Sequence, residues 1–147
     1  TQPRSGGGVR LRSADPLTPP EIRPGYFSAE EDLDALVEGA QLARALAETR
    51  AFDALRGAPA DPDVSTKTAA DLRAFVRRTA DTIFHPVGTC RMGLDSDAVV
   101  DSRLRVHGLE GLRVADGSIM PMTVNSQTHA ACVMIGEKVS ESIIANR

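Results

Sequence analysis

Aromatic side chains make up only 3% of the 147 residues, and tryptophan is absent. Any core must therefore come from Leu, Val, Ile and Ala, thin provision for a self-sufficient domain of this length. Cysteine occurs only at Cys90 and Cys132. Two thiols make no disulfide framework, and neither lies in a Cys-x-x-Cys or Cys/His cluster with zinc spacing, so no metal site is expected. Free thiols fit a reducing, cytoplasmic compartment. No apolar run approaches the roughly 20 residues of a membrane span. Basic charge is not in excess: 17 Lys and Arg against 20 Asp and Glu leave a net charge of -3. With no Lys/Arg block and no aromatic ladder, the composition argues against a nucleic-acid partner. The chain opens on Thr1, not Met, and carries no signal-like stretch, as expected of a chain trimmed or inherited from a longer one.

What is present reads as globular. Hydrophobic residues reach 41% and charged residues 25%, and a chain of this length should bury roughly 68–70% of its unfolded surface. Gly6-Gly7-Gly8 reads as a flexible entry or a turn. Val9-Arg10-Leu11-Arg12 alternates like a half-buried strand. Pro16, Pro19, Pro20 and Pro24 forbid regular structure beyond a short edge strand near Ile22. Ser28-Ala29-Glu30-Glu31 reads as a capping box opening a helix whose apolar stripe is Leu33, Leu36, Val37, Ala40, Ala43 and Leu46. A loop over Gly57–Thr66, with Pro59, Pro62 and Asp63, leads to a second helix started by Thr68-x-x-Asp71. That helix should bury Leu72, Phe75, Val76 and Thr79.

From Thr82 to Val124 the texture turns β, with short apolar runs at 83–84, 99–100, 104–106 and 112–115 between glycines. A last helix is expected from about Thr128 to Ala145, with Cys132, Ile135, Val139 and Ile143 on one face. The order of elements predicts an α+β class, a mostly antiparallel sheet with flanking helices, rather than a doubly wound sheet.

Histidine is the side chain that titrates naturally near neutral pH. His107, in Val106-His107-Gly108-Leu109, reads as a solvated turn residue. His85 stands between an apolar run and the break Pro86-Val87-Gly88, where it is either a site residue or part of an ordinary buried turn. His129 follows Asn125, Ser126, Gln127 and Thr128 at the start of the last helix. A helix N-terminus suits an anion or an electron-rich carbonyl, but the same polar residues could merely cap it. Asp116-Gly117-Ser118 is a further strand-end loop, weak alone. There is no Gly-x-Ser-x-Gly elbow and no Walker motif, and Gly6-Gly7-Gly8 lacks the spacing of a dinucleotide fingerprint.

Taken in order, these segments resemble the C-terminal part of the glucose-methanol-choline (GMC) family of FAD oxidoreductases. The family's histidine signature is matched by His85-Pro86-Val87-Gly88-Thr89-Cys90-Arg91-Met92-Gly93. Val100-Asp101, Leu104-Arg105-Val106-His107-Gly108, then Gly111-Leu112-Arg113-Val114-Ala115-Asp116-Gly117-Ser118-Ile119-Met120-Pro121 and Met134-Ile135-Gly136-Glu137-Lys138 follow at family-like spacing. The resemblance is strong over Phe84–Ser142 and extends more weakly towards Val9 and the Glu31-Asp32-Leu33 helix.

The resemblance implies that residues 1–147 form the substrate-side domain, with a last strand and helix that belong with an N-terminal FAD-binding domain absent from this chain. Nothing here matches that domain's Gly-rich βαβ unit, so FAD is expected in the intact enzyme and not on this chain alone. It also implies an alcohol substrate whose hydroxyl proton passes to His85 while hydride moves from carbon to flavin. Gln127 falls on the second active-site position, usually His or Asn. It can hydrogen-bond the substrate oxygen but cannot accept a proton, and either Gln127 or His129 faces the substrate. Asp116 and Gly117 fall on the loop approaching the FAD ribityl-phosphate region, while Thr128, His129 and Ala130 lie beside the flavin ring. The family also contains hydroxynitrile lyases, so lyase chemistry is an alternative, as is a non-catalytic binding module without the flavin domain.

Overall fold

The computed structural model describes residues 2–58, 60, 66 and 68–145. Thr1 and most of the expected 57–66 loop, including Pro59, Pro62 and Asp63, lie outside the described residues. The elements are strands β1 (Gly8–Arg10) and β2 (Glu21–Arg23), paired in a two-stranded antiparallel sheet, and helices α1 (Glu30–Ala47), α2 (Ala69–Thr79) and α3 (Thr128–Ala145). Short 3-10 turns occupy Arg50–Phe52 and Gly117–Ile119. The α+β class is borne out. The chain divides into two compact units, one from residues 4–7 and 22–81, the other from residues 1–3, 8–21 and 82–147.

The first of these is a helix pair. Leu33, Leu72 and Val76 are buried, and Phe27, Val37, Ala40 and Phe75 pack against them. Leu36 and Leu46, expected in the buried stripe, are about half exposed, and Thr79 is exposed. The Thr68–Asp71 capping box forms as the spacing implies: Thr68 Oγ1 accepts the Asp71 N–H (3.1 Å) and Asp71 Oδ2 accepts the Thr68 N–H (2.9 Å). Such a cap contributes about 1 kcal/mol.

The Ser28 box does not form. Ala29 is the N-cap of α1, with no capping bond from its own side chain. Gly25 and Phe27 both adopt left-handed backbone (φ +69 and +58), and the turn they make, closed by the Ser28 N–H to the Gly25 carbonyl, spends Ser28 before the helix begins. The cap comes from the distant chain start instead. Ser5 Oγ accepts the Ala29 N–H (3.1 Å), and the Asp32 carboxylate accepts the N–H groups of Arg4 (2.9 Å) and Ser5 (2.7 Å). The glycine run upstream serves this approach. A Cβ on Gly7 would fall 2.0 Å from the Arg23 carbonyl oxygen, so the glycine permits contact where flexibility was expected.

The second unit has little continuous strand. Its pairing is confined to isolated bridges, Met92 with Val100 in parallel, and Val100 with Val106 and Arg105 with Arg113 antiparallel. The expected runs are cut short because turns interrupt them: Asp101 accepts the N–H groups of Arg103 and Arg105, and Leu104 sits at φ +61. Ile83 and Phe84 form no strand and are 76% and 82% exposed, with Phe84 at φ +61. Helix α3 has the expected span, burying Ile135 and, partly, Cys132 and Val139, while Ile143 stays 43% exposed.

Candidate active site

The core of the second unit is Val100, Ile119, Met120 and Ile135. Around it pack Val87 and Met92 from the His85 segment, and Ala131 and Cys132 from the first turn of α3. The chain on either side of these anchors carries the residues singled out by the sequence.

The His85 segment is fixed by backbone bonds. After His85-Pro86 the chain turns at Gly88 (φ +86), whose carbonyl accepts the Arg91 N–H at 3.2 Å. Cys90 N–H then donates to the Ser118 carbonyl (3.0 Å), Met92 N–H to the Ile119 carbonyl (2.8 Å) and Gly93 N–H to the Val100 carbonyl (3.0 Å). Cys90 and Met92 are thus laced to the 3-10 turn Gly117–Ile119, and Gly93 to the core residue Val100. The His85 ring is half-buried, and among the described residues no protein group hydrogen-bonds it.

Asp116 caps that turn, its Oδ1 accepting the Ser118 N–H at 2.7 Å. The Ser118 hydroxyl, and then its N–H, hold the Asp116 carboxyl below the usual carboxylate range. Gly117 lies against α3: a Cβ there would sit 3.2 Å from Cys132 Sγ. Met120 joins the core directly after the turn.

Helix α3 presents its N-terminal turn with Thr128 half-buried and Gln127, His129 and Ala130 exposed. No acidic side chain occupies that first turn, and a helix N-terminus carries a partial positive charge that favours an electron-rich partner. The structure therefore draws the backbones of the 85–93, 116–120 and 128–132 segments onto one apolar cluster.

His107 lies in an exposed turn, as expected, but its ring is engaged. Nε2 lies 3.1 Å from the Gly93 carbonyl oxygen, and its backbone N–H donates to Val99. Sequence reading passed over Phe84, whose exposed ring directly precedes His85, because an apolar pair resembles a strand end. Only the positive φ distinguishes it. An open apolar groove of about 270 Å³ in the helical unit, lined by Ala43, Leu46, Ala47, Phe52, Leu55 and Arg56, offers no base or nucleophile.

A family model described as GMC oxidoreductase matches residues 3–136. Oxygen-dependent choline dehydrogenases of Klebsiella pneumoniae subsp. pneumoniae and of Escherichia coli O6:K15:H31 are each 45% identical over 139 residues, 95% of this chain and 25% of theirs. The chain thus spans about a quarter of the length of these curated relatives. Among solved structures, pyridoxine 4-oxidase from Mesorbium loti superposes with a TM-score of 0.83 at 32% identity, covering 97% of this chain and 28% of that one. Aspergillus oryzae formate oxidase gives 0.89 at 31% identity, covering 97% and 25%.

Proposed function

The chain belongs to the GMC oxidoreductase family, and from that premise we propose that it is the base-bearing, substrate-side part of an FAD-dependent alcohol oxidoreductase. The flavin would be held mainly by a separate part of the enzyme, in keeping with relatives about four times as long as this chain. The observation that carries the reading is the common anchoring of the His85 segment and the α3 N-terminus on one core, through Val87 and Met92 on one side and Ala131 and Cys132 on the other.

In this reading His85 accepts the proton of the substrate hydroxyl as the carbon gives up hydride, leaving a carbonyl product. A half-buried imidazole that no protein group hydrogen-bonds among the described residues suits that task. FAD, when bound, supplies the hydride acceptor. Gln127 offers its amide N–H to the substrate oxygen and orients the alcohol. Thr128, His129 and Ala130, at the positive end of α3, favour the electron-rich edge of the ring, while Asp116 and Gly117 shape the loop on the ribityl-phosphate side.

The test is stopped-flow reduction of the bound flavin by an alcohol in the complete enzyme. His85→Ala should slow it by roughly 10²–10⁴-fold, the usual worth of a placed general base. Gln127→Ala should cost less, since it removes a hydrogen bond and leaves the proton acceptor. A wild-type rate in His85→Ala would transfer the base role to His129. Cleavage of a cyanohydrin, with no flavin reduction by any alcohol, would replace oxidoreduction with lyase chemistry.

A further inference from the structure

We propose that Arg91 is a positioning residue for this reaction, its guanidinium forked onto Asp95 across Gly93 so that the segment carrying His85 is clamped at its far end. The inference rests on the function proposed above. Two side-chain bonds make the fork: Arg91 Nη1 donates to Asp95 Oδ2 at 2.9 Å, and Nη2 donates to Asp95 Oδ1 at 2.5 Å. A planar cation held twice by one carboxylate is fixed in direction as well as distance. Lysine would reach the same carboxylate only as a point charge.

The fork closes a loop that turns back onto the His85 segment. Asp95 Oδ1 also accepts the Asp97 N–H (3.1 Å), and the Asp95 carbonyl accepts the N–H of Ala98 (3.1 Å). The returning chain then lies beside residues 91–93. The Arg91 carbonyl accepts the N–H groups of Val99 (3.0 Å) and Val100 (3.4 Å), and the Gly93 N–H donates to the Val100 carbonyl (3.0 Å). Any residues could make those backbone bonds, but only once residues 94–98 are folded back. Leu94, 94% exposed, adds almost no packing to that fold. The side chains that hold it closed are Arg91 and Asp95.

Gly93 leaves room for the pair. A Cβ there would lie 3.0 Å from Asp95 Oδ2, 3.1 Å from Arg91 Nη1 and 3.0 Å from Ala98 Cβ. The Gly93 carbonyl meets the His107 ring, with Nε2 at 3.1 Å. Between these two fixed residues stands Met92, which packs against the core as Val87 does. Arg91 therefore steadies the second of the two apolar anchors of the His85 segment. It touches neither the substrate nor the flavin in this reading.

The test uses the complete, flavin-loaded enzyme with Arg91→Gln, Asp95→Asn and the two combined. Arg91→Gln should reduce its flavin roughly three- to ten-fold more slowly, the scale of a forked pair whose side chains are 31% and 56% exposed. KM for the alcohol should stay unchanged. The pH dependence of the rate should keep the limb due to His85, since the base is displaced and not removed. Asp95→Asn should cost about as much, and the double variant no more than the slower single one, because both changes break one fork. Wild-type reduction in Arg91→Gln would overturn the positioning role, as would losses that multiply in the double variant or a loss confined to KM. Each of these results leaves the proposed function standing so long as His85→Ala remains slow. If His85→Ala is fast as well, the proposed function falls and this inference with it. Should Arg91→Gln fail to fold, Arg91→Lys, which keeps the charge without the fork, takes its place: slower reduction supports the role, and a wild-type rate refutes it.

Discussion

The two units of this chain solve the problem of holding a backbone in place by different means. In the helical unit, Leu33, Leu72 and Val76 interlock α1 and α2, and the backbone bonds are internal to each helix. In the unit containing His85, loops bond to loops, and short aspartates close the turns. Asp15, Asp95, Asp101 and Asp116 each accept the N–H of the residue two positions on, from Leu17, Asp97, Arg103 and Ser118. Such turns let a chain change direction every few residues over a small core. Every residue proposed for the chemistry lies in this second unit. Loops fixed on a rigid anchor can aim side chains and main-chain groups at a ligand, which a helix pair packed along its length cannot do as freely.

The sharpest way to break this comparison is to empty each core in turn. Leu33→Ala, at a site with no exposed surface, should cost about 2–5 kcal/mol. Amide hydrogen exchange should then quicken through α1 and α2 while Met92, Gly93 and Cys90 stay protected. Ile119→Ala should do the reverse, loosening the three amides laced to the 3-10 turn and its core. Equal loss of protection in both units from either change would show that they open as one body and that the distinction is only descriptive.

Helices announce themselves at a distance in the sequence, and turns do so only locally. The spans of α2 and α3 and the Thr68–Asp71 cap follow from period and spacing, because the partners lie within one or two turns of each other. The cap of α1 was illegible because its donors and acceptors, Ser5, Arg4 and Asp32, are more than twenty residues apart. The 83–84 and 99–115 runs were read as strands from β-branched and aromatic content alone. Which of them pair was decided by Asp101 and by Leu104 at φ +61, features with no periodic signature. The candidate site was legible mainly through its resemblance to a family. On residue chemistry alone His85 and His129 kept bland alternatives, since nothing in a linear pattern shows that Ala131 and Met92 share a core.

A second probe sharpens the comparison through acid. Asp101 is lowered from an ordinary 3.8 to about 2, chiefly by the backbone N–H of Arg105, then by the Arg105 side chain. Folding thus favours the ionised form. Its stabilising share is whole above the ordinary value and drains away as pH falls from there through about 2. Carboxyl NMR should find Asp101 titrating near the lower value. Asp101→Asn should flatten that part of the acid-unfolding curve, as the amide keeps an acceptor for Arg103 and Arg105 but carries no charge. A titration of Asp101 near 4 would mean that its turn is not held in solution as in the structure.

The smallest effect is expected from the charged surface of the helix pair. Arg73 reaches Glu30 and Asp34 together, and Arg77 reaches Glu30 at 2.5 Å, so three elements of charge bridge α1 and α2. Glu30 is held below its usual value, first by its hydrogen bond to Arg77 and then by that to Arg73. All four side chains are a third to two-thirds exposed, however, and water shares their field. Attraction between exposed groups is offset by the entropy of holding long side chains still. Arg73→Gln should therefore lower the melting temperature far less than Leu33→Ala. The loss should shrink as salt rises, vanishing near 1 M where screening acts over about 3 Å. A loss that persists at that salt would assign the contribution to the Arg73 stem lying across the helices. Burial would then account for the helical unit even at its charged surface, and the contrast with the aspartate-closed turns of the other unit would be sharper still.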